Sequence, residues 1–122
     1  MTTPLAVMAL LSCWEARTPR LCLHAQPFES EVVVHVSKGW GCDERVVLGS
    51  GDRLYVYSSG ETVWELATLK DVVLWDLVLG RAPAGTSATG PLRSDLVLPD
   101  AVLEVDIGPG FQGSGSFVVP GP

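Results

Sequence analysis

The sequence predicts a mainly β protein, a small antiparallel sandwich or barrel with one short N-terminal helix, and three observations carry that expectation. The apolar residues come in short runs rich in valine and leucine, bounded by glycine and proline. Turn signals such as Gly49-Ser50-Gly51-Asp52 and Ser58-Ser59-Gly60-Glu61 divide the middle of the chain about every nine residues. Hydrophobic residues make up 47% of the 122 and charged residues only 18%, which excludes a disordered chain and suits a single domain over 1–122.

At the N-terminus, Thr3 can cap a helix with Pro4 in its first turn, and Pro19 closes the region. Leu10-Leu11-Ser12-Cys13 has the form of a lipoprotein cleavage box. The apolar run is short, however, and no positive charge precedes it. A buried helix is therefore expected rather than a signal peptide, and the run falls well below the ~20 apolar residues of a membrane span. Secretion is not expected; the cytoplasm or a virion-like particle is.

Leu21–Ala25 and Glu31–Ser37 follow as strands. In the second, Val32, Val34 and Val36 share one face, and its β-branched residues crowd a helix but suit a pleated surface. Lys38-Gly39-Trp40-Gly41-Cys42 is a turn. From 44 to 79, Glu44–Leu48, Arg53–Ser58, Thr62–Ala67 and Asp71–Leu79 predict an antiparallel meander. Trp64, Ala67, Asp71, Leu74 and Val78 could instead line one side of a helix, but the valines and tryptophans favour strands.

The run Asp71–Leu79 is apolar on both faces. Val73, Trp75, Leu77 and Leu79 form one, and Val72, Leu74, Asp76 and Val78 the other. A strand of that kind needs cover on both sides. Another subunit is the expected source. The scarcity of lysine, only Lys38 and Lys70, also leaves few of the edge charges that keep sheets apart.

Residues 80–94 are rich in alanine, glycine, serine and threonine and predict a long loop, a length usually functional or mobile above about 12–15 residues. Strands Asp95–Leu98 and Ala101–Ile107 come next. The last segment, 108–122, is expected to be an arm, because its glycines and prolines weaken a strand up to Ser116. Phe111, Phe117, Val118 and Val119 would anchor it to a neighbour.

A net charge of −6 with scattered arginines gives no basis for binding nucleic-acid phosphates. Cys13, Cys22, His24, His35 and Cys42 are the soft metal-ligand residues, and zinc takes about four such donors. The Cys-x-x-Cys knuckle is missing, and buried thiols with a satisfied core histidine explain the same residues. No bound metal and no cofactor are expected. Three cysteines suit free thiols better than a disulfide framework, one bridge plus one free thiol being the alternative. Cys42 beside Asp43 and Glu44 is poorly placed for a nucleophile. Glu104 and Asp106 share a strand face and read as the solvated side of a half-buried strand.

These features together predict a non-enzymatic structural or assembly subunit of a virion-like shell, collar or tube, which self-associates or joins other subunits. Leu74, Trp75, Val78, Phe111, Phe117, Val118 and Val119 are the expected interface. The alternative is a β-sandwich binding module that recognises a protein or small ligand through the loop 80–94.

Overall fold

A computed structural model describes residues 20–121. Ten strands follow one another within them: β1 (Leu21–Phe28), β2 (Glu31–Lys38), β3 (Val46–Leu48), β4 (Arg53–Ser58), β5 (Glu61–Thr68), β6 (Val72–Leu74), β7 (Asp76–Val78), β8 (Thr86–Ala88), β9 (Val102–Gly108) and β10 (Gly113–Val118). A single 3₁₀ turn, Ser94–Leu96, precedes β9. The strands form a five-stranded sheet in the order β10-β9-β4-β5-β8, a three-stranded sheet β1-β2-β7 and a two-stranded ribbon β3-β6. All the pairings between named strands are antiparallel. The mainly β, antiparallel class is as expected. The helix expected between Thr3 and Pro19 lies outside the described residues.

All three sheets feed one apolar core. β9 shows the simplest pattern, with Leu103, Val105 and Ile107 buried and Val102, Glu104 and Asp106 exposed. Leu54 and Val56 of β4, Val34 and Val36 of β2, and Val46 and Leu48 of β3 meet in the same cluster. Each such side chain contributes about 1.5–3 kcal/mol on burial. That burial offsets the entropy lost in ordering the chain.

Two irregularities set the faces. Val56 pairs with Trp64 and Tyr57 with Thr62, so Val63 is an extra residue in β5, and both Val63 and Trp64 point into the core. In the second, Val72 and Leu74 are buried, then Trp75 and Asp76 are both exposed, and Leu77 and Leu79 are buried again. The chain bends at Trp75, where it leaves its partner β3 and takes up β2. Inward parity slips by one residue at that bend. The two apolar faces of Asp71–Leu79 are therefore largely one inward set, displaced halfway along. Leu74, expected at an interface, is only 2% exposed and belongs to the core. The helical alternative for 62–79 is not what forms.

The segment 80–94 is not the open loop expected. β8 extends the edge of β5, Thr89 N–H donates to the Glu65 carbonyl, and Arg93 N–H donates to the Val63 carbonyl. Backbone groups along a sheet edge are satisfied by this lining, which a free loop would leave to water.

The C-terminal segment also departs from expectation. Gly113–Val118 pairs with β9 along its length, and Phe117 and Val119 are buried. Phe117 and Val119 are thus core residues and not an arm's anchors. Phe111 and Val78 are partly buried, while Val118 is exposed opposite Val102. The glycines that argued against a strand permit this one. A Cβ on Gly115 would lie 2.9 Å from the Leu21 carbonyl oxygen and 3.1 Å from Leu23 Cδ1, because β1 crosses close over β10.

The expectation of free thiols is corrected for two of the three cysteines. Cys22 in β1 is disulfide-bonded to Cys42 in the turn after β2, with Cα atoms 5.7 Å apart. Cys13 lies outside the described residues.

Candidate functional site

The hairpin of β1 and β2 reverses through Glu29 and Ser30, and that two-residue turn sets His24 directly opposite His35. The pairing of β2 with β7 sets His35 opposite Asp76. His24, His35 and Asp76 thus form a row across the outer face of the three-stranded sheet, followed by the row Gln26, Val33 and Val78. The opposite face of the same strands carries core residues Val34, Val36 and Leu77.

His35 Nδ1 lies 3.0 Å from Asp76 Oδ1. A carboxylate oxygen accepts, so Nδ1 donates, and in the neutral ring Nε2 is the nitrogen that carries the lone pair. The imidazole also meets the Trp75 ring edge-on, with centroids 4.3 Å apart and planes at 79°. The Arg45 guanidinium also stands 5.3 Å from the Trp75 ring centroid. Carboxylate and indole together fix His35 from two directions. His24, Gln26, Pro27, Phe28, Val33, His35 and Asp76 line an open groove of about 400 Å³ over this row. Among the described residues the groove is lined by imidazole, amide, carboxylate and apolar groups.

Beside Trp75 the outer face turns apolar. Val47 and Val73 are cross-strand partners in the β3-β6 ribbon, 51% and 53% exposed. They form a side-by-side pair, with Trp75 two residues beyond Val73 along the chain. Among the expected interface residues, Trp75 belongs to this surface and Val78 lies further along the same face of β7.

The outer face of the five-stranded sheet is different in chemistry. Tyr55 and Tyr57 stack with centroids 5.9 Å apart. Asp106 and Glu104 flank them in register from β9, and Glu65 stands opposite Tyr55 from β5. Burial, then Asp106, Tyr55 and Glu65, push the Tyr57 hydroxyl above its usual range. Arg53 pairs with Glu65 at 2.9 Å. Glu104 and Asp106 thus sit on a solvated face opposite a buried one, as expected. A shallow groove of about 630 Å³ runs from them past Ser114 and Ser116 to Arg20.

The four soft metal-ligand residues that are described do not all converge. Cys22 and Cys42 are joined to each other, Cys13 lies outside the described residues, and only His24 and His35 share a surface. Among the described residues no group of three or more histidine, cysteine, aspartate or glutamate side chains is placed to hold a metal ion. No helix among them is long and apolar enough to cross a membrane. Val47, Val73 and the partnership of Asp76 with His35 were not found from the sequence. The symmetry of His24 and His35 about a turn at 29–30 was the available signal, and it becomes informative once the hairpin is fixed.

The chain matches no protein-family model, and comparisons with curated proteins and with solved structures return no significant match.

Proposed function

We propose that this chain is a non-enzymatic assembly subunit, a small antiparallel sandwich that joins copies of itself or other subunits of a shell, collar or tube. In this reading the five-stranded sheet is one layer, and the three-stranded sheet with the ribbon is the other. One observation carries the proposal. Val47 and Val73 stand exposed side by side on the ribbon, and Trp75, exposed as well, follows directly after its β6 strand. Contiguous exposed apolar side chains on a folded surface mark contact with a partner more often than isolated ones do. The exposed pair Val102 and Val118 on the five-stranded sheet offers a second, smaller contact.

The disulfide bears on the setting. Disulfides persist in oxidising surroundings and are scarce in a reducing cytoplasm, so a place on an assembled particle or outside the cytoplasm suits the chain better than the cytoplasm. Recognition through 80–94 has less to rest on, since much of that segment's backbone is engaged by β5.

Light scattering coupled to size exclusion tests the proposal. The parent is expected to associate, and Val73→Asp is expected to yield monomers with an unchanged thermal midpoint, because Val73 does not face the core. A monomeric parent at high concentration, or an assembly indifferent to Val73→Asp, would defeat it.

A further inference from the structure

We propose that His24 and His35 form a two-histidine site for a divalent transition metal, with Asp76 as the positioning residue. Residues directly opposite on antiparallel strands hold their Cβ atoms about 4.5–5.5 Å apart, a span that lets two imidazoles turn onto one ion. His24 and His35 are opposite in this sense, and both line the same open groove.

The donor chemistry selects the class of ion. Imidazole nitrogen suits copper, nickel and zinc, and their order of affinity places Cu(II) above Ni(II) and Zn(II). Calcium and magnesium require oxygen ligands, and the carboxylate of this row is engaged with His35 Nδ1. That engagement is itself the arrangement found behind metal-bound histidines. A carboxylate that accepts from one ring nitrogen fixes the ring's orientation and leaves the other nitrogen to face an ion. Trp75 packs against the same ring and limits its rotation. With His24 exposed and the His35 side chain 36% exposed, water can complete the coordination.

The site differs from the five-residue cluster considered from the sequence. It uses neither Cys22 nor Cys42, whose sulfurs are bonded to each other. It does not depend on the assembly proposal.

The chain has only two histidines, both in the site, so their ring signals report on it without ambiguity. The experiment is a Zn(II) titration of the untagged full chain carrying Cys13→Ser, which removes a competing thiol. It is read by histidine ring resonances and by calorimetry. Both histidines are expected to respond together and to saturate at one zinc per chain. His24→Ala and His35→Ala should each weaken binding at least about tenfold, and Asp76→Ala about tenfold, within the range seen for outer partners of metal ligands. Circular dichroism checks that each variant remains folded. Should His35→Ala fail that check, His24→Ala on its exposed position decides the matter. Absence of saturable binding, zinc binding that leaves both ring signals unmoved, one zinc per two chains, or affinity within twofold of the parent in His24→Ala would overturn the proposal.

Discussion

Asp52 is a buried carboxylate that ties two distant turns together. It accepts from Gly49 N–H at 2.9 Å, from Phe111 N–H at 3.2 Å and from Gly110 N–H. Burial acts to raise its pKa, but the three backbone donors outweigh that and hold it below the ordinary 3.8. A folded value below the unfolded one gives stability that is full above pH 3.8 and is lost as pH falls from there through the folded value. Asp52→Asn is expected to cost about 2 kcal/mol at neutral pH, since one amide oxygen replaces two acceptors. The gap to the parent, measured by denaturant unfolding, should narrow as pH falls below 3.8. Thr68 is the opposite case. Its side-chain hydroxyl is buried without a hydrogen-bond partner among the described residues. Thr68→Val keeps the shape and removes an unsatisfied group, so a gain of about 1 kcal/mol is expected in the same assay.

At the scale of elements, β10 and the disulfide each hold an edge in place. Truncation before Gly113 would strip Phe117 and Val119 from the core and bare the pairing edge of β9. Cooperative thermal unfolding should disappear. The single change Phe117→Ala should already cost about 3–5 kcal/mol. A truncated chain that melts at the parent's midpoint would show that β10 only rests on the sheet. The Cys22–Cys42 bridge closes a sequence separation of 20 and pins β1 to the turn after β2. Constraint of the unfolded chain at that separation is worth about 3 kcal/mol. Replacing both cysteines with serine should lower the midpoint accordingly, and an unchanged midpoint would show that the strand pairing alone fixes this corner.

Across the whole molecule, one core serves three sheets, and the outer faces divide by chemistry. The ribbon and the three-stranded sheet carry valines, Trp75 and the histidine row, while the five-stranded sheet carries tyrosines between carboxylates, with the exposed pair Val102 and Val118 at one end. Association through the apolar face would leave the carboxylate face outward, where a net charge of −6 keeps assembled copies apart from one another. Added salt screens that repulsion. The assembled fraction of the parent is therefore expected to rise with ionic strength in sedimentation, and a fall would point to an interface made by charge pairs instead.

The sequence by itself determined the β class, the hairpin turn at 58–61 and the alternation in segments such as 101–107, because side-chain period and turn chemistry are local properties. The meander expected over 44–79 does not form, since β3 pairs with β6 and β4 with β5 and β9. Tertiary structure alone decided the rest. The parity slip at Trp75 arises from a change of strand partner, and no window of residues contains the partner. Gly113 and Gly115 looked like strand breakers until β1 was seen to lie against them. Cys22 meets Cys42, and His24 meets His35 and Asp76, through pairings that bring residues from three strands into register. Such contacts depend on which strand lies beside which, and that choice is made by burial of the shared core rather than by any local signal.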